Sequence, residues 1–300
     1  MWQRGARAVA VIGASKNAGK TTALSALLRA ATATGNRVGV CSMGVDGETS
    51  DAWLATAKPQ VDVERGTLVV TSAAAIAATA GRVVARQTLG FASSLGPTLL
   101  AEVRAPGAVL LCGLSHRGQL ETALAALHAA GAQRIAVDGA YHRQAAADAR
   151  GLDALVLAVG AVVPLTAAVA TLRALTTPAA PSGPSAATAL RRREITGGLT
   201  DARLHALDLA DIDVLGVPSL GAILLSAVGH AALQRAGVQL VAGRTLPLLC
   251  LVSNPYDPQS ATRAEPLRHL LALRDLALAH GRAVAAVDVV AGLCSDEESR

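Results

Sequence analysis

The chain has 300 residues, 52% of them hydrophobic and 16% charged, enough for one large α/β domain or two smaller ones and too apolar for a disordered chain. Aromatic residues make up only 2%, so Ala, Val and Leu must fill the core, and a protein that stacks bases on aromatic platforms is disfavoured. The net charge of +5 comes mainly from scattered arginines; the one run, Arg191-Arg192-Arg193, reads as a solvated loop rather than a nucleic-acid contact.

Ala8 to Ile12 is a fully apolar run and predicts a buried strand, not a signal peptide. Thr21 to Thr34 predicts a helix, with Leu24, Leu27 and Leu28 on one side and Gly35 as its stop. Arg37 to Cys41 is a second buried strand, and a polar, glycine-containing loop, Ser42 to Ser50, follows. This order of strand, glycine loop, helix and strand opens a mostly parallel sheet flanked by helices. Gly66 to Thr71 is a further strand. Arg82 to Leu89 and Thr98 to Arg104 read as a hairpin around Ser94-Leu95-Gly96-Pro97. Ala108 to Cys112, Arg134 to Asp138 and Ala154 to Val159 are strands; Gln119 to Ala130 and Leu165 to Leu175 are helices.

Three prolines in Pro178 to Pro184 exclude a helix or a central strand, so 178–189 is read as a linker closing a first domain over 1–177. After it the pattern remains α/β through 190–300. Strands are expected at Asp211 to Val217, Gln239 to Ala242, Leu248 to Ser253 and Ala283 to Val289, and helices at Leu220 to Ala236 and Glu265 to His280. Whether this C-terminal segment extends the first sheet is not readable from the pattern. No apolar run reaches the roughly 20 residues of a membrane span. The four cysteines, Cys41, Cys112, Cys250 and Cys294, form no CxxC pair, which fits a reducing cytoplasm.

The most informative stretch is Gly13-Ala14-Ser15-Lys16-Asn17-Ala18-Gly19-Lys20-Thr21-Thr22. It follows the G-x-x-x-x-G-K-[ST] phosphate-loop pattern, with Ala14 in the first position and Gly13 one place earlier. In such a loop successive backbone N–H groups form a nest around a phosphate. Gly19 lets the backbone approach, Lys20 reaches the β- and γ-phosphates, and Thr21 offers its hydroxyl to Mg²⁺. The positive end of the following helix points at the anion. A buried strand before the loop and a helix starting within it are the context the motif requires. Lys16 is read as a solvated loop lysine, with an approach to phosphate across a homodimer as the minor alternative.

A nucleotide site of this kind needs an acid near Mg²⁺ and a group that orients the attacking nucleophile. Asp46 and Glu48, after the second strand, are candidates for these roles, with Asp51 close by. Asp138, at the end of Arg134-Ile135-Ala136-Val137, is the second candidate for the metal, because strand C-termini point to the ligand edge of a parallel sheet. The strand ending in Cys112 carries no acid there. Asn254-Pro255-Tyr256-Asp257 echoes the guanine-reading Asn-Lys-x-Asp spacing, but Pro255 replaces the lysine and the segment reads as a turn; ATP is therefore favoured over GTP. His116, His142 and His205 are isolated, and Arg143 is only a candidate phosphate contact.

The loop Ser15-Lys16-Asn17-Ala18-Gly19-Lys20-Thr21-Thr22, with Gly44-Val45-Asp46-Gly47-Glu48 and Val137-Asp138-Gly139-Ala140, resembles the ATP-binding P-loop subunit of lysine 5,6-aminomutase reactivase. The resemblance covers residues 8 to 160 and, more loosely, the rest of the chain. It implies an α/β P-loop NTPase fold and an ATP- and Mg²⁺-dependent reactivating factor. Such a factor acts on a cobalamin- and pyridoxal-phosphate-dependent aminomutase together with a MutS-like ATPase subunit. It also implies that Asp46, Glu48 and Asp138 belong to the nucleotide site. Two other readings share the same loop: a small-molecule ligase or kinase of the dethiobiotin-synthetase kind, and a nucleotide-gated scaffold that does not hydrolyse.

Overall fold

The computed structural model describes residues 2, 5–43, 60–93, 95–139, 149–162, 164–181, 190–257, 262–281 and 284–295. In chain order the first half runs β1 (Ala8–Gly13), α1 (Lys20–Ala33), β2 (Val38–Met43), β3 (Gln60–Val63), β4 (Leu68–Ser72), α2 (Ala73–Ala77), β5 (Val83–Ser93), β6 (Gly96–Val103), β7 (Gly107–Leu110), β8 (Gly113–Leu114), α3 (Arg117–Ala129), β9 (Arg134–Gly139), β10 (Ala154–Gly160) and α4 (Leu165–Leu175). The second half runs β11 (Arg192–Glu194), β12 (Leu199–Thr200), α5 (Asp201–His205), β13 (Val214–Val217), β14 (Ile223–Leu224), α6 (Ala227–Arg235), β15 (Gln239–Ala242), β16 (Leu248–Asn254), β17 (Tyr256–Asp257), β18 (Thr262–Arg263), α7 (Pro266–Ala279), β19 (Ala286–Asp288) and β20 (Leu293–Cys294).

The fold is α/β, built on a large, mostly parallel mixed sheet flanked by helices. Its strand order is β20-β19-β16-β10-β1-β9-β2-β4-β6-β5, with β8 also paired to β2. The centre from β16 to β4 is parallel, and its strands read as continuous apolar runs because both faces are covered. All six residues of β1 are buried, and its side chains alternate between two cores. Ala8, Ala10 and Ile12 pack with Leu120, Leu124 and Leu127 of α3 and with Leu270 and Leu273 of α7. Val9 and Val11 pack on the other face with Leu24, Leu27 and Leu28 of α1. The outer strands β6 and β5 are antiparallel, which is the expected hairpin.

The strand expected from Ala108 is present as β7; it lies outside the main sheet and pairs antiparallel with β3, and Val61, Val63 and Val109 thereby cover the α1 face. One sequence expectation is corrected. The helix expected from Leu220 begins at Ala227, because Ser226 caps it and accepts hydrogen bonds from the N–H groups of Val228 and Gly229. Leu220–Ala222 is instead a single 3-10 turn, and β14 pairs with β12.

The chain after residue 190 goes to two places. β11, β13 and β15 form a separate three-stranded parallel sheet. β16 and β19 extend the main sheet beside β10. At the start of the expected linker Ala179 bridges Ala242, and Ala180 donates its N–H to the Ala242 carbonyl, so this part lies along the small sheet. No helix among the described residues is long and apolar enough to cross a membrane.

Candidate functional site at the loop after β1

The loop from Gly13 to Lys20 leaves the carboxyl end of β1, in the middle of the sheet. It is held from several sides. Ala14 donates its N–H to the Ala158 carbonyl at 2.9 Å, which ties the loop to β10. Ala14, Ser15 and Ala18 are buried, whereas Lys16 and Asn17 are exposed. Asn17 takes a left-handed φ of 61°, a conformation that asparagine tolerates better than most residues.

Gly19 has φ 90° and precedes the first residue of α1. A Cβ at this position would sit 2.6 Å from Cβ of Asn254, so glycine is required both for the backbone angle and for the approach of β16. No side chain caps α1, and its first turn holds no acid. The leading N–H groups of the helix are therefore left for the space in front of the loop. Lys20 folds back over Gly13, where an added Cβ would lie 3.0 Å from Cγ and Cδ of the lysine. Thr21 and Thr22 stand in the first turn, half-buried.

β9 runs beside β1 in parallel register, with Val11 opposite Asp138. The Asp138 residue as a whole is half-buried, but its Oδ1 is sealed from solvent and has no hydrogen-bond partner among the described residues. Its Oδ2 accepts a long hydrogen bond of 3.5 Å from the Ser42 hydroxyl on β2. Burial pushes the carboxyl up to about 6, against the opposing pull of Lys20 and the Ser42 hydrogen bond. Burial likewise lowers the Lys20 ammonium, while Asp138 raises it. Neighbouring Cys41 is pushed up to about 12 by burial and by the Asp138 charge, so it is an inert thiol.

Two hard oxygen atoms near this loop are thus buried without a partner, Oδ1 of Asp138 and Oγ of Ser15. Like the Thr21 hydroxyl they are hard oxygens, a donor chemistry that suits Mg²⁺ rather than a thiophilic metal. Among the described residues no three His, Cys, Asp or Glu side chains gather into a metal site of their own.

No protein-family model matches the chain, and no curated protein sequence or solved structure matches it either.

Of the residues singled out in the sequence, the structure brings Gly13 to Thr22 and Asp138 together at one sheet edge. Asp46, Glu48, Asp51, His142 and Arg143 lie outside the described residues. The arginine run is exposed on and beside β11, where Arg191 pairs with Asp211 and Asp213 and Arg192 with Glu194. Cys112 contacts the Ser72 hydroxyl in the core.

The sequence places Asn254 in a turn, and the structure gives it another place. It ends β16, and its Nδ2 donates to the carbonyl of Asn17 at 3.3 Å. Its own carbonyl accepts from Ala161, beyond the end of β10, at 2.9 Å. The Asn-x-x-Asp echo was the available signal, but nothing local says that residue 254 reaches residue 17.

Proposed function

We propose that this chain is a P-loop ATPase that binds ATP and Mg²⁺ through Gly13 to Thr22. We further propose that it turns over slowly and acts as a reactivating factor for an aminomutase of the lysine 5,6-aminomutase type. A MutS-like ATPase subunit would be its companion. The observation that carries the nucleotide reading is the opposition of Lys20 and Asp138 behind an uncapped helix N-terminus, with Oδ1 of the acid left unpartnered. A buried carboxylate with an empty oxygen is costly unless a cation meets it. The aminomutase part rests on the resemblance of the loop and of the two short acidic segments.

In this reading the N–H groups of the loop and of the first turn of α1 orient the phosphates, and Lys20 neutralises their charge. Thr21 and Asp138 would hold a cation, and Mg²⁺ there would supply positive charge against the phosphates. Asn254 fixes the crest of the loop from the β16 side. Asp46 or Glu48 orients water.

The test is ATP binding and hydrolysis by the wild type and Lys20→Ala, each with and without lysine 5,6-aminomutase. Loss of charge-assisted contacts from Lys20 is expected to weaken ATP by about 100-fold, from roughly 3 kcal/mol, and the mutase is expected to stimulate hydrolysis by the wild type. Equal ATP binding by both proteins would overturn the nucleotide reading. Strong turnover that ignores the mutase would overturn the reactivase reading.

A further inference from the structure

Four arginines gather where the strands of the main sheet begin, at the opposite end from the glycine loop. Arg37 precedes β2, Arg65 precedes β4, Arg86 lies in β5 and Arg104 follows β6. Pairing sets Gly39, Leu68, Glu102 and Val84 in one row across the start of β2, ending on β5 at the sheet edge.

The cluster is organised by Glu102, which is buried. Arg86 contacts its Oε2; Arg37 lies 3.6 Å from the same oxygen and Arg104 3.7 Å from Oε1. Arg86 is the extra residue of a bulge between Ala85 and Gln87, a device that re-aims an edge side chain. Arg65 shares a hollow of about 280 Å³ with Arg37 and Glu102, beside the end of α1. The last carbonyls of that helix are engaged, Thr32 accepting from Gly35 and Ala31 from Asn36. Asp62 and Glu64 line a neighbouring hollow with Arg29 of α1.

One carboxylate thus serves three guanidinium groups, two of them at long range, where ion pairs are weak. The side chains of Arg37, Arg86 and Arg104 stay 37%, 41% and 55% exposed, so they keep N–H groups for another acid. Arg65 is exposed and makes no ion pair among the described residues.

The surroundings select the occupant. Val84 to Thr88 of the edge strand are all exposed, on both faces, and arginine beside aliphatic surface is a protein-docking composition. A second copy would bring the same four arginines and be repelled. A nucleic-acid backbone is tracked by a stripe of charge and its bases by aromatic rings; this cluster converges on one carboxylate and contains no ring.

We propose that this end of the sheet docks an acidic segment of a partner protein. One carboxylate side chain enters the hollow between Arg37 and Arg65, and its neighbours meet Arg86 and Arg104. The assignment is independent of the nucleotide reading.

Fluorescence anisotropy of the full chain with labelled probes tests it. The probes are a ten-residue peptide alternating Glu and Thr, its Gln counterpart, and a ten-nucleotide thymidine strand. The proteins are the wild type, Arg65→Gln, the double variant Arg65→Gln/Arg104→Gln, Lys20→Ala, and Arg192→Gln, which lies outside the cluster. The Glu peptide is expected to bind the wild type, Lys20→Ala and Arg192→Gln within twofold of one another. It should bind Arg65→Gln at least threefold and the double variant at least tenfold more weakly, with the Gln peptide silent. A thermal melt checks folding, and Arg65→Gln, which breaks no ion pair, carries the test where the double variant melts early. No binding of the Glu peptide by the wild type overturns the proposal. So does unchanged binding by Arg65→Gln, or an equal loss in Arg192→Gln or Lys20→Ala, because attraction would then come from overall charge or from the glycine loop. Thymidine strand binding as tightly as the Glu peptide overturns the assignment to a protein segment.

Discussion

Replacing Asp138 by asparagine separates the function of this carboxylate from its effect on stability. In the folded chain the carboxyl is held at about 6, against an ordinary 3.8. That difference makes the charged form about 3 kcal/mol less favourable in the fold than in the unfolded chain. The folded-state value is raised, so the contribution of the protonated acid is complete below about pH 3.8. It is lost as pH rises through about 6. Asp138→Asn removes the charge and keeps a side chain able to meet Ser42. Without nucleotide or metal, wild-type stability is therefore expected to fall relative to the variant by roughly 1.3 kcal/mol between pH 5 and pH 7. Above pH 7 the variant should be the more stable protein. Urea denaturation of both chains in EDTA at pH 5, 6, 7 and 8 reads this directly. Adding Mg²⁺ and a non-hydrolysable ATP analogue should then stabilise the wild type but not the variant. Parallel stability curves across the whole pH range would refute the argument, because they would mean that the carboxylate is adequately solvated or paired.

Two further outcomes follow from the geometry. Gly19→Ala places a Cβ at φ 90° and 2.6 Å from Cβ of Asn254; the backbone alone costs about 1–2 kcal/mol and the overlap roughly 1–3 more. The urea midpoint should drop, and a second change, Asn254→Gly, should recover the overlap part; additive losses in the double variant would count against the contact. His230 is buried against α4 and held at about 4, by burial first and then by the Arg173 charge. Its value is lowered in the fold, so its contribution is complete above about pH 6.5 and is lost as pH falls toward 4. His230→Gln should flatten the acid side of the stability curve by about 2 kcal/mol; an unchanged acid limb would show that the imidazole is not buried neutral.

The legible parts of this molecule are those whose cause is local. The run Ala8 to Ile12 has no polar atom in its side chains, so it must be buried on both faces. The break at Ala14 to Gly19 followed by leucines at helical spacing then forces strand, loop and helix in succession. The C-terminal helix was equally readable, because Glu265 caps it, accepting from Leu267 and Arg268, and Pro266 opens it. Local reasoning failed at Leu220 to Ser226, where helical spacing was overruled by pairing of Ile223 and Leu224 with Leu199 and Thr200; the rest of the expected helix is α6. A strand pair of this kind depends on residues more than twenty positions away, which no periodicity can report.

The same division holds at the candidate site. Sequence alone determined the order of groups along the loop from Gly13 to Thr22, and put an acid at the end of the strand containing Val137. Those depend on spacing within a few residues and on the direction in which a buried strand must point. Only the tertiary structure decided that β9 lies beside β1, so that Asp138 faces Lys20. It alone brought β16 from beyond the expected linker, so that Asn254 meets Asn17 across 237 positions. Strand order is set by which apolar faces can be covered together, and that is a property of the whole packed chain rather than of any segment.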